Sequence, residues 1–241
     1  MREQIQQLKL WIKTSEQPLA QNCLKLYRAL LYLEIPSPSW LFKIISFVHF
    51  SVAACLANFL RIFYWTPMFK SSLAGPCSKL YLYAGMPMLM GPLQMHIGNN
   101  CRINGQTTFC GRCNSSAAPV LSLGDNVDIS WQTTIAVGSQ VTIGNNVRIA
   151  AKGFLVGYPG HPIDSHDRAR GLPDTQAQIG AIILEDDVWL ASNVTVLANV
   201  TIGAGTIVAT GSIVTKDFPA NVLAGGVPAR VIKSLLDTNH C

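Results

Sequence analysis

The sequence predicts a mainly β protein, a left-handed parallel β-helix of about five coils preceded by an α-helical region. Two observations carry that expectation. From residue 97 onward an aliphatic or aromatic anchor recurs every six positions, and the anchors fall in threes: Ile97, Ile103, Phe109; Leu123, Ile129, Ile135; Ile143, Ile149, Leu155; Leu184, Leu190, Val196; Ile202, Val208, Val214. A six-residue unit is a short strand and a bend, and three such units close one triangular coil. No single unit can bury its own anchor, so stacked coils must build the core together. An antiparallel sandwich would instead need alternation of period two and hairpin turns.

The slot four residues after each anchor repeats the pattern with small or β-branched residues: Val127, Thr133, Val147, Val188, Val194, Val200, Thr206 and Ser212. Cys101 and Cys113 occupy the same slot and are expected as small core fillers. Clusters such as Gly98-Asn99-Asn100, Gly124-Asp125-Asn126 and Gly144-Asn145-Asn146 mark corners that need left-handed backbone. Extra residues occur only between triplets: eight, then two, then twenty-three, with none before the fifth. All three insertions therefore leave from one corner of the prism, and a long loop in so tight a repeat is a place to look for function. The expected β-helix domain covers residues 81–235, with the candidate catalytic loop at 156–181 and a short tail at 236–241.

Residues 1–80 lack the repeat. Ile5, Leu8 and Ile12 suggest one amphipathic helix, and Leu19 to Leu33, with Cys23, Tyr27, Leu30 and Leu31, a second. After Pro36 and Pro38, the stretch from Trp40 to Trp65 is almost wholly apolar, and Ile44 to Leu60 carries no Lys, Arg, Asp or Glu. That segment suits either a helix packed on an oligomer or a membrane helix. Phe59, Phe63, Tyr64 and Trp65, with Lys43, Arg61 and Lys70 around them, favour an interfacial position on an anionic leaflet. The chain is 49% hydrophobic and only 13% charged, so it is not disordered. Its basic excess sits in the N-terminal third, where nine Lys/Arg face three Glu. Basic residues beside an apolar segment point to a membrane surface and away from nucleic acid.

Seven scattered cysteines, including Cys55, Cys77 and Cys241, and the mixed polar pattern at the start suit a reducing cytoplasm and no disulfide framework. Cys110 and Cys113 form the one CxxC, without a second ligand pair at zinc spacing, and no metal site is expected.

Several motifs follow in order through the repeat. The third insertion contains Gly157-Tyr158-Pro159-Gly160-His161-Pro162-Ile163-Asp164. The chain continues with Trp189-Leu190-Ala191-Ser192, then Thr210-Gly211-Ser212-Ile213-Val214-Thr215-Lys216, then Gly225-Gly226-Val227-Pro228-Ala229-Arg230-Val231-Ile232-Lys233. This succession resembles the hexapeptide-repeat acyltransferases, in particular the galactoside and maltose O-acetyltransferases, over roughly residues 120–235. The resemblance implies transfer of an acetyl group from acetyl-CoA to a hydroxyl of a sugar or glycan precursor, in a homotrimer with sites between subunits. It implies His161 as the catalytic base; imidazole titrates near neutrality and can take the acceptor's proton. It places Trp189 and Ser192 along the pantetheine channel, Thr210 and Gly211 at its backbone contacts, and Lys216, Arg230 and Lys233 on the CoA phosphates. Asp164 and His166 become acceptor-side candidates in the loop. The family's acceptor-contacting Asn is replaced here by Ser130, with Gln132 as a stand-in.

A different acyl donor or an amino-sugar acceptor would use a similar donor channel. A metal-dependent hydratase of the same fold needs three histidines around one metal, whereas the repeat holds only His161 and His166, with His96 at its edge. An inert solenoid would have no use for the Trp189-to-Lys233 motif series.

Overall fold

The structure, a computed structural model, describes residues 2–115 and 117–236. Cys241 and all of the expected C-terminal tail beyond Leu236 lie outside the described residues. The chain divides into two compact units, Met1–Ala53 and Ala54–Cys241. In the first, α1 (Arg2–Thr14) and α2 (Pro18–Leu31) pack together over a fully buried Ala20. Helix α2 starts and stops earlier than the apolar spacing predicts, because Pro18 suits a first helical turn. Helix α3 (Ser39–Leu60) follows the two prolines and buries none of its residues.

The second unit is the β-helix. Face A stacks Gln94–Ile97, Val120–Leu123, Gln140–Ile143, Ile182–Leu184 and Val200–Ile202 in parallel. Face B runs from Tyr81–Tyr83 through Arg102–Asn104, Asp128–Ile129, Arg148–Ile149, Trp189–Leu190 and Ile207–Val208 to Val222–Gly226. Face C stacks Met88–Met90, Thr108–Gly111, Thr134–Val137, Phe154–Val156, Thr195–Leu197 and Ile213–Val214.

The fifteen anchors are all buried, and they stack in register. Ile97, Leu123, Ile143, Leu184 and Ile202 pair along face A. Ile103, Ile129, Ile149, Leu190 and Val208 do so along face B. Phe109, Ile135, Leu155, Val196 and Val214 do so along face C. The five coils are extended by a partial coil at each end. Leu82 pairs with Ile103 and Leu89 with Phe109 before the first triplet, while Phe218 and Ala224 continue faces A and B after the last. The seven-residue step from Leu82 to Leu89 hid the first of these from the period of six.

Solenoid ends need covers. At one end a π-helical turn (Arg61–Trp65) leads into α4 (Thr66–Lys70), whose Phe69 is fully buried with its ring 6.2 Å from that of Phe109. At the other, Ala229–Ser234 folds back antiparallel on Val222–Gly226 and ends face B.

One expectation needs correction, and the left-handed corners are where the clusters predicted them. Cys101 fills the core as predicted, but Cys113 is exposed, because the strand ends at Gly111 and the chain has already left the prism into its first insertion. The corner clusters also divide their labour. Asn100, Asn126, Asn146, Asp187 and Gly205 are left-handed on one corner and Gln132, Lys152, Asn193 and Gly211 on the next, with φ between 56° and 72°. The glycines before them serve stacking: a Cβ on Gly144 would lie 2.4 Å from Asp186 Oδ1 and 2.7 Å from the Asp186 backbone nitrogen. Asn and Asp side chains fill that space, as Asn99 N–H donates to Asp125 (2.6 Å), Asp125 N–H to Asn145 (2.8 Å) and Asn145 N–H to Asp186 (2.7 Å).

Gly144→Ala should therefore cost about 3 kcal/mol by forcing adjacent coils apart. Gly171→Ala, at a loop position of φ 71° with open space around it, should cost about 1 kcal/mol of backbone strain. Urea unfolding of the two variants checks the order; equal losses would remove the stacking role.

Candidate functional site

The three insertions, 112–119, 138–139 and 157–181, all leave where face C hands over to face A, as their spacing predicts. The longest is a closed loop. Gly157 N–H donates to Ala136 O (2.8 Å) and Gly180 N–H to Gly157 O (3.0 Å), so both ends are fixed to the prism within one ladder step. Within it, Asp164 caps the short helix α5 (Ser165–Ala169), its carboxylate accepting from the backbone N–H of His166 (2.9 Å) and Asp167 (3.0 Å). A Thr175–Gln178 capping box closes the descending limb, and Gln178 Nε2 donates to His161 O at 3.0 Å. Arg168 donates to the carbonyls of Pro162 and Ile163 and tightens the turn after His161.

The loop is held from beneath by a buried ion pair. Arg112, from the first insertion, places Nε 2.5 Å from Asp174 Oδ1, and the two side chains keep 5% and 3% of their accessible surface. Every remaining polar group of the pair is used. Arg112 also donates to Asp174 O (2.8 Å), Asn114 O (2.8 Å) and Ser115 Oγ (3.3 Å), while Asp174 Oδ2 accepts from Gly160 N–H (3.0 Å). Gly160 has φ 79°, a conformation that a side chain resists, and it is the residue before His161. Below it, Tyr158 Oη meets Cys110 Sγ at 2.9 Å. Burial first, then the contact with Cys110, push the Tyr158 phenol above its ordinary value of 10, so it stays neutral.

His161 itself is exposed at the loop's outer surface, as are Asp164 and His166. The other expected site residues lie elsewhere on the prism. Ser130 and Gln132, Ser192, and Thr210 with Gly211 stack on the corner between faces B and C, where Gly211 N–H donates to Ser192 O at 3.0 Å. Ser130 also contacts the Tyr83 phenol, which burial raises above its usual value. Trp189 stands out from face B with 48% of its surface accessible. Lys216 follows the last face C strand, and Arg230 and Lys233 project from the closing antiparallel strand; all three are exposed. Two groups therefore emerge: the loop bearing His161 at one corner, and the Ser130-to-Gly211 column at another. Face C separates them within one chain by about six extended residues, roughly 20 Å.

Arg112 and Asp174 were absent from the sequence-based candidates. The signal was faint: each is a charged residue in one of two insertions that share a corner, in a chain with few charges.

The structure thus offers a parallel β-helix with one long insertion that presents a histidine, and a column of small and polar residues on the adjoining corner. Comparison with known proteins narrows this. Residues 181–216 match the family model described as bacterial transferase hexapeptide (six repeats). The chain is 38% identical over 117 residues to the galactoside O-acetyltransferase of Escherichia coli K12, covering 48% of this chain and 55% of that protein. It is 31% identical over 147 residues to the putative lipopolysaccharide biosynthesis O-acetyl transferase WbbJ of the same strain, covering 57% and 74%. The chain belongs to the hexapeptide-repeat acetyltransferase family. It spans little more than half the length of the galactoside enzyme. Among solved structures, AntD, an N-acyltransferase from Bacillus cereus in complex with dTDP and 3-hydroxybutyryl-CoA, superposes with a TM-score of 0.55 over 71% of this chain and 88% of that one. At 14% identity that likeness establishes the fold alone.

Removing one member of the ion pair should be costly. Arg112→Met leaves the Asp174 carboxylate buried with one N–H partner, and should lower thermal stability by an amount on the order of 3–5 kcal/mol. Arg112→Met combined with Asp174→Leu removes both charges and should recover most of that loss in calorimetry. If the double variant melts as low as the single one, the pair is not the source of the effect.

Proposed function

We propose that the protein is an acetyl-CoA-dependent O-acetyltransferase that acts on a hydroxyl of a sugar or glycan precursor, with His161 as general base. The observation that carries this is the placement of His161 directly after Gly160, in a loop fixed by Arg112 and Asp174, together with family membership. An alcohol is a weak nucleophile until its proton is taken, and a neutral imidazole nitrogen can accept it as the oxygen attacks the thioester carbonyl. The carbon–sulfur bond then breaks, and the departing thiolate recovers the proton from the imidazolium. Backbone N–H groups can hold the negative charge that develops on the carbonyl oxygen. No enzyme-bound acyl group is needed. The names of the relatives, which concern galactosides and lipopolysaccharide biosynthesis, support a saccharide acceptor.

The distance between the two corners supports a homotrimer. We assign each site to a cleft in which the His161 loop of one subunit meets the Ser130-to-Gly211 column of its neighbour. Trp189, Ser192, Thr210 and Gly211 then line the pantetheine arm, and Lys216, Arg230 and Lys233 meet the CoA phosphates as charge-assisted donors. Ser130, Gln132 and His166 face the acceptor. Asp164 serves them indirectly, since its carboxylate is engaged in starting α5. The basic, apolar N-terminal third supports a cytoplasmic enzyme at the inner face of a membrane.

His161→Ala should lower turnover of acetyl-CoA with a sugar panel by roughly 10²–10⁴-fold, with CoA binding retained. Unchanged turnover would reject His161 as the base.

Shared sites make a second prediction. A trimer mixed from His161→Ala chains and Gly211→Trp chains, each inactive alone, should regain about one quarter of the wild-type sites. Sites contained within one chain would give no recovery on mixing.

A further inference from the structure

Helix α3 has no polar side. Phe42, Ile45, Phe47, Val48, Phe50 and Val52 point around its whole circumference, and each is exposed, between 45% and 74%. A helix that docks on protein keeps a polar stripe for solvent; one that is apolar all round belongs in a core or in lipid. The helical run continues without interruption from Ser39 to Lys70, thirty-two residues. At 1.5 Å per residue its charge-free stretch, Ile44 to Leu60, is about 26 Å long, close to the roughly 30 Å hydrocarbon core of a bilayer.

The ends match as well. Trp40 and Lys43 mark one, and Phe63 and Tyr64, both exposed, the other; Arg61 lies over the Tyr81 ring and Trp65 packs against the β-helix core. Trp40 and Tyr64 are about 36 Å apart along the axis, between the roughly 30 Å of the hydrocarbon core and the roughly 40 Å that includes the headgroup regions. Aromatic and basic side chains prefer those levels, where long cations reach back to water. The amide inside the run is satisfied locally: Asn58 Nδ2 donates to Ala54 O (3.1 Å), and its Oδ1 accepts from Arg61 at 3.3 Å. Pairing of this kind lowers the cost of placing a polar group in hydrocarbon.

We propose that α3 inserts into the hydrocarbon of a lipid bilayer and anchors the protein there, rather than resting among the headgroups. The partner is a bilayer with anionic lipid, which the nine Lys/Arg against three Glu of residues 1–80 would favour. The inference goes beyond the transferase reading and stands independently of it.

The test is flotation of the full chain, reconstituted from mild detergent into phosphatidylcholine vesicles with and without phosphatidylglycerol. The protein should rise with both vesicle types, and stay bound in about 1 M salt, where charges are screened beyond about 3 Å. Release by salt would mean surface binding and overturn the proposal. So would a detergent-free oligomer that ignores vesicles, since copies of the chain would then cover α3. Val48→Asp with Val52→Asp should lower vesicle partitioning at least about a hundredfold, whereas Val48→Leu with Val52→Leu floats like the wild type. Circular dichroism and melting of the β-helix establish that the Asp variant is folded. If it is not, the salt-resistant flotation of the wild type decides alone.

Discussion

The interior of this prism accepts inward-facing side chains only in register from coil to coil, and much else in the molecule accommodates that constraint. The anchors of each face meet in parallel register, so a residue gained or lost inside a triplet would turn every later anchor out of the core. Burying one such aliphatic side chain is worth about 1.5–3 kcal/mol, and a slip would forfeit many at once. Within the five full coils, length variation is confined to the one corner where face C hands over to face A. The loop bearing His161 leaves and returns at that corner, so the strands on either side of it, Phe154–Val156 and Ile182–Leu184, keep their register.

The same constraint explains how the loop is held. A twenty-five-residue excursion has little apolar surface of its own, and its tip exposes Ile163. Its order comes from three features: the ladder contact between Gly157 and Gly180, the Asp164 cap, and the Arg112–Asp174 pair. The first and third insertions are therefore a single device, one supplying the arginine and the other the carboxylate.

Much of this was legible in the sequence. The period of six gave the three faces, the identity of the core residues and the corner that carries the insertions, with no need of a relative. Cys113 was misread because periodicity cannot tell the last slot of a strand from the first residue of an excursion. The clusters do mark left-handed corners, at Asn100, Asn126 and Asn146, but which residue of each cluster carries that conformation was not legible for a related reason. Whether Gly is present for its φ or for its missing Cβ depends on the neighbouring coil, which lies twenty or more residues away. The Arg112–Asp174 pair was invisible on the same ground: sixty-two residues separate its members, and nothing local marks either.

An ion pair is a costly way to hold a loop, since desolvating two charges can exceed what their attraction returns. An apolar contact of the same volume would hold the segment in place but would not orient it. Asp174 does orient it. One carboxylate oxygen is fixed by Arg112 while the other accepts from Gly160 N–H, so the backbone preceding His161 is set by hydrogen-bond direction and not by packing alone. Both terminal nitrogens of the guanidinium find a carbonyl or hydroxyl, which lowers the desolvation cost that an incomplete network would carry. On the proposed reading of His161 as general base, its placement must hold to within a fraction of an ångström, and a directional contact one residue away supplies what the side chain of an exposed histidine cannot supply for itself.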